Sequence, residues 1–204
     1  MKSLHHFIVC IPEPYQDHLV TEKGVKIFID RRWTKDKSVT RVGTVVSMPL
    51  NFNTQIKEGF QVAVDPTILY EQNFHLTHGN QDSVFLIDKA KRYYKISPSM
   101  IVLFRENENV EWKGNMNNSL FQLVKSEERE EEKLTSSFII IPDNAKPKFE
   151  KNIAQLVYGN DDLLSEMEHT DKAYVNDQYG IPFPLDGKEY VWYKNEDVLG
   201  VITN

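Results

Sequence analysis

Apolar residues in this chain come in short runs, and ahead of Val45 nothing has the period of a long amphipathic helix. Phe7-Ile8-Val9-Cys10-Ile11 is a continuous apolar run ended by Pro12 and Pro14. Val42-Gly43-Thr44-Val45-Val46 is the next, followed by a turn at Ile56-Lys57-Glu58-Gly59 and by Gln61-Val62-Ala63-Val64, which stops at Pro66. Val84-Phe85-Leu86-Ile87, Tyr93-Tyr94-Lys95-Ile96 and Met100-Ile101-Val102-Leu103-Phe104 resume the pattern. Short β-branched and aromatic runs punctuated by turn residues predict strands, and their number and spacing predict an all-β barrel or sandwich. Residues 20–40 are very polar apart from the alternating piece Val25-Lys26-Ile27-Phe28-Ile29, which reads as a long hairpin or projecting loop.

Residues 106–118 are polar and carry Gly114 and several Asn, the composition of a linker. After them the order of elements returns. Leu120-Phe121-Gln122-Leu123-Val124 reads as a strand, residues 125–137 as a charged loop, and Phe138-Ile139-Ile140-Ile141 as an apolar run. Ile153-Ala154-Gln155-Leu156-Val157 and Lys172-Ala173-Tyr174-Val175 read as strands. The chain closes on Asp186-Gly187, a hairpin-type turn, then Tyr190 to Tyr193 and Val198 to Ile202, two short strands joined by a tight polar turn. The pattern predicts two tandem copies of one small β fold, residues 1–113 with an insertion at 70–88, and residues 114–204. Residues 161–168 fit either a helical turn or an acidic loop.

At 204 residues, 40% hydrophobic and 26% charged, the chain can bury ordinary cores. A net charge of -6 and an isoelectric point near 5.5 argue against nucleic acid or anionic lipid as a partner held by broad electrostatics. Cys10 is the single cysteine, so an intramolecular disulfide is excluded and a reducing, cytoplasmic setting is expected. The first ten residues lack the apolar run of a signal peptide, and no stretch reaches the roughly 20 apolar residues of a membrane span. His5, His6, His75 and His78 complete no known metal spacing and read as solvated loop residues. Glu127-Glu128-Arg129-Glu130-Glu131-Glu132 reads as a solvated charged loop. There is no phosphate loop and no nucleophile elbow, so neither a catalytic residue nor a cofactor is expected.

The second copy resembles the GroES co-chaperonins. Asp171-Lys172-Ala173-Tyr174-Val175-Asn176-Asp177-Gln178-Tyr179-Gly180 matches the family's acidic, valine and tyrosine-glycine element, and Glu196-Asp197-Val198-Leu199-Gly200-Val201-Ile202 matches its C-terminal ending. The first copy looks like a more diverged relative, through residues 42–46, 56–64 and 97–103. The resemblance implies two partly open β-barrels, a homo-oligomeric ring and a chaperonin as partner, contacted by a loop after the first strand of each copy. By position the tips are Gly24, Val25 and Ile27 in the first copy and Phe138, Ile139 and Ile140 in the second. Lys26 interrupts the first apolar triplet, and Ser137 stands where the second would carry glycine, so the uninterrupted second tip is expected to dominate. The resemblance also implies that terminal strands pair between neighbours, which makes Phe7, Ile8, Val9, Val198, Leu199, Val201 and Ile202 candidate interface residues in edge strands. An alternative function follows from the deviant tips: a ring-forming structural component of a large assembly such as a virion, its partners the neighbouring structural proteins. The apolar run 138–141 has a blander reading too, as a buried strand.

Overall fold

A computed structural model describes residues 3–14, 18–20, 24–28, 40–69, 83–126 and 149–202. The chain divides into two compact units, Met1–Met116 and Asn117–Asn204. Both are antiparallel β, as the short apolar runs predict.

The first unit contains β1 (Phe7–Cys10), β2 (His18–Val20), β3 (Lys26–Phe28), β4 (Val42–Ser47), β5 (Gln61–Val64), β6 (Leu86–Asp88), β7 (Tyr93–Ile96), β8 (Ile101–Arg105) and β9 (Lys113–Gly114). Seven of these form one sheet in the order β6-β7-β1-β4-β5-β8-β9, while among the described residues β2 and β3 pair only with each other. Phe7, Val9, Ile11, Val45, Val62, Val64, Tyr94, Ile96 and Ile101 meet in its core. Along β4 burial alternates residue by residue, the signature of a strand with one face on that core.

The second unit contains β10 (Asn118–Lys125), β11 (Phe149–Tyr158), the one-turn helix α1 (Asp161–Leu164), β12 (Lys172–Val175), β13 (Ile181–Leu185), β14 (Lys188–Lys194) and β15 (Val198–Ile202). Its sheet runs β13-β14-β10-β11-β12-β15 around Phe121, Ala154, Leu156, Ala173, Val175 and Tyr193. The ring of Tyr193 meets that of Phe121 edge-on at 5.7 Å. Asp186 (φ 48°) and Gly187 (φ 76°) turn β13 into β14, the left-handed pair that a two-residue hairpin loop demands. Asn160 caps α1, its Oδ1 accepting from Leu163 N at 2.9 Å and from Asn195 Nδ2 at 3.1 Å, so the turn ahead of β15 is tied to the turn after β11. Trp192 Nε1 donates to buried Asn118 Oδ1 at 3.0 Å.

Replacing β1, β4, β5, β6, β7 and β8 by β10, β11, β12, β13, β14 and β15 converts the first sheet order into the second, leaving β9 over. The registers match as well. Val9 sits opposite Val45 and Tyr94, as Phe121 sits opposite Leu156 and Val191. A register shift follows Ile8 in one copy and Leu120 in the other, and a second one separates Ala63 from Val64 and Tyr174 from Val175. Each last strand is entered through a short 3-10 turn, Pro98–Met100 or Asn195–Asp197.

Four expectations change. β1 is not an edge strand: β4 and β7 occupy both of its sides, and Phe7, Ile8 and Val9 are buried, which leaves it no free hydrogen-bonding edge to offer a neighbour. The closing strands β14 and β15 are consecutive but not partners, because the 3-10 turn carries the chain from β14, beside β10 and β13, to β12. The segment 106–118 is more than a linker, since it contributes β9 and the buried Trp112 to the first unit. The stretch 70–88 also ends in β6, whose counterpart is β13.

Candidate functional site

The candidate contact elements are the loop that follows the first strand of each copy and the free edge at the end of each sheet. In the first copy, Pro12 and Pro14 end β1, and Thr40 N donates to Pro14 O at 3.0 Å, which closes the base of the loop. Above that base His18, Leu19 and Val20 pair with Phe28, Ile27 and Lys26. Gly24 has φ 77°, a left-handed conformation that glycine adopts without steric cost. Val25 is 58% exposed, Ile27 51% and Phe28 79%. Strand alternation puts Ile27 and Val25 on one face and Lys26 with Phe28 on the other, so the lysine charge does not stand between the two aliphatic side chains.

Three large apolar side chains exposed within four residues, two of them on a two-stranded sheet separate from the seven-stranded one, are unusual for a monomer surface. An isolated hairpin is marginal in water, so the arrangement gains from a partner surface that buries one of its faces. Phe28 is the residue that pattern reasoning left out, because in an alternating run it reads as one more strand position. In the second copy the corresponding loop joins β10 to β11. Its candidate tip, Phe138, Ile139 and Ile140, lies outside the described residues, as do His75 and His78.

β15 forms one edge of the second sheet. Among the described residues it pairs with β12 alone, and Leu199 is 66% exposed while Val198, Val201 and Ile202 are half-buried. The equivalent strand in the first copy, β8, carries β9 on its outer side. Cys10 is half-buried, its Sγ 3.5 Å from Lys91 O, the position of a packing residue. Among the described residues no three His, Cys, Asp or Glu side chains gather as a metal site would require, and no helix is long and apolar enough to cross a membrane. The two tyrosines with displaced pKa values belong to the second core and its rim. Burial, then the hydrogen bond and charge of Tyr158 and the charge of Asp186, push Tyr190 up to about 12, while burial, then Asp177 and Asp197, push Tyr193 up to about 12.

Comparison with known proteins places residues 122–202 within the family model described as Chaperonin 10 Kd subunit. The co-chaperonin GroES of Helicobacter hepaticus is 40% identical over 86 residues, which cover 41% of this chain and 92% of that protein. The co-chaperonin GroES of Campylobacter lari is 40% identical over 73 residues, 36% of this chain and 81% of the relative. That of Helicobacter pylori strain P12 is 38% identical over 87 residues, 41% of this chain and 71% of the relative.

Proposed function

Because this chain belongs to the GroES co-chaperonin family, we propose that it acts in the cytoplasm as a co-chaperonin: it assembles from several copies into a ring and caps a chaperonin to assist protein folding. The observation that carries this reading is the exposure of Val25, Ile27 and Phe28 on the hairpin after the first strand. Burying an aliphatic side chain stabilises a complex by about 1.5–3 kcal/mol, and ordering a loop costs about 1–2 kcal/mol per residue, so a single loop binds weakly. Several loops held on one assembly bind together, and their effective concentration makes up the difference. A weak, multiple contact of this kind also releases readily, as a cap that must come off requires. In this reading Gly24, Val25 and Ile27 form the tip in the first copy, and Phe138, Ile139 and Ile140 in the second. Nothing in the role calls for a catalytic group, a metal or a cofactor.

The test is capture of the protein by a chaperonin in the presence of nucleotide, followed by native mass measurement. Replacing Ile139 and Ile140 together by Ser should abolish capture with the free protein's native mass unchanged, whereas Val25→Ser should weaken capture less. Wild-type protein that assembles without being captured would overturn the reading and favour a ring kept for a structural role. A double variant that unfolds would identify residues 139 and 140 as core.

A further inference from the structure

The two copies turn the same hairpin with different charge. The loop from β6 to β7 stands where Asp186-Gly187 stands in the second copy, since β6 and β7 answer to β13 and β14. In the first copy Lys89, Lys91, Arg92 and Lys95 put four cations within seven residues, and between residues 83 and 105 Asp88 is the single carboxylate. The second copy sets Asp186, Lys188 and Glu189 there, with Trp192 in the place of Lys95. The basic spot is local, because the chain as a whole carries -6.

Its own hairpin and β1 both fix this tip. Asp88 Oδ1 accepts from Lys91 N at 3.0 Å, and Asp88 Oδ2 lies 4.0 Å from Lys91 Nζ, so the carboxylate is spent on folding the turn. Cys10 Sγ donates to Lys91 O at 3.5 Å, and Ile11 N donates to Arg92 O at 3.1 Å. Arg92 has φ 55°, a left-handed conformation in which glycine or asparagine is the usual occupant. A cation thus sits where the backbone favours a residue without charge. Lys89, Lys91 and Lys95 are exposed, and the Lys91 ammonium lies 5.8 Å from the centre of the Tyr93 ring.

The tip stands at the root of the first loop. The bonds from Cys10 and Ile11 hold it against the end of β1, and the residues that follow, Pro12 to Pro14, form the base from which the loop carrying exposed Val25, Ile27 and Phe28 departs. Lys26, exposed on β3, adds charge of the same sign.

We propose that the β6–β7 tip is a second contact surface for the protein partner that takes this loop, and that the partner meets it with a rim of carboxylates. The proposal rests on the reading above for the partner's identity, a chaperonin. A protein rim suits the patch better than nucleic acid does: a long polyanion would run off these cations onto a surface of net negative charge, whereas a few carboxylates match them locally. The contact joins side-chain ends in solvent, so it speeds encounter, is screened by salt and leaves the backbone amides of the tip as they are.

The test has two arms. In the first, capture by a chaperonin with nucleotide is followed by stopped flow: replacing Lys89 and Lys91 together by Glu should slow it about tenfold at low salt, with release unchanged and the difference gone at high salt. Lys188→Glu, in the matching turn of the second copy, should leave the rate as it was. Arg92→Gly removes a charge and relieves the backbone, so it should slow capture while melting no lower than wild type. Should the double variant fail to fold, Arg92→Gly decides. The second arm needs no chaperonin: hexaglutamate should shift the side-chain NMR signals of Lys89 and Lys91, and an oligothymidylate of equal charge should shift them less. Capture as fast in the variants as in wild type, or lysine signals that hexaglutamate does not move, would overturn the proposal and leave the co-chaperonin reading standing. An oligothymidylate that binds the tip more tightly than hexaglutamate would overturn the carboxylate rim. Wild-type protein that binds hexaglutamate at the tip and is never captured would refute the co-chaperonin reading alone.

Discussion

The first unit and the second lay down the same six strands in the same order and register, yet they differ at one edge and in side-chain content. In the first, Trp112 and Asn115 fasten a strap over β8, while in the second β15 ends the sheet with Leu199 in solvent. At equivalent core positions the first unit sets Val9, Val45 and Ile96 where the second sets Phe121, Leu156 and Tyr193, and conversely Phe7 and Tyr94 where the second sets Ser119 and Val191. The comparison teaches that ladder register and the paired bulges carry the fold, since they survive when nearly every side chain at equivalent positions is different. Edges and loops, which the cores do not constrain, are where the two copies have taken separate roles.

Removing the strap is the strongest way to break the comparison. Trp112→Ala should cost about 3–5 kcal/mol, because it deletes a buried indole and its contact with Arg105. Hydrogen exchange should then accelerate in β8 and β9, giving the first unit an open edge like that of β15. A smaller effect separates the units by pH. Tyr190 and Tyr193 have folded-state pKa values raised above the ordinary 10, so their contribution is fully present below pH 10 and is lost as pH rises towards 12. Alkaline titration should therefore weaken the second unit by about 2 kcal/mol per tyrosine between pH 10 and 12. Tyr193→Phe, which keeps the edge-on contact with Phe121, should remove its share of that loss, as read by denaturant unfolding at pH 9 and pH 12. The smallest effect belongs to the α1 cap. Asn160→Ala should cost about 1 kcal/mol in the second unit, through loss of the bonds to Leu163 N and Asn195 Nδ2, measured as a shift in its unfolding midpoint.

Much of this was legible in the sequence, for identifiable reasons. Runs such as 42–46, 61–64 and 198–202 announce strands because β-branched residues and period-two burial leave a local trace. β13 left none: Pro182 and Pro184 argue against a strand, and only an edge position, one side unpaired, reconciles them with the sheet. β9 is two residues in a polar segment, and its existence depends on the distant β8. The same cause defeated the edge assignment of β1, since whether a strand is interior is decided by partners far along the chain, here β4 and β7. At the candidate site, Lys26 looked like an interruption of an apolar tip. With β3 paired to β2, alternation sets it across the strand from Ile27, a relation that requires the register and not only the spelling.

The account rests on the loops being the surface that meets a chaperonin, and hydrogen exchange along this chain, free and in the presence of a chaperonin with nucleotide, tests it most directly. It predicts slowed exchange confined to the two tips, residues 24–28 and 137–140, with the amides of the core strands β1 and β10 unaltered. Protection that appears elsewhere while both tips exchange as they do in the free protein would contradict it.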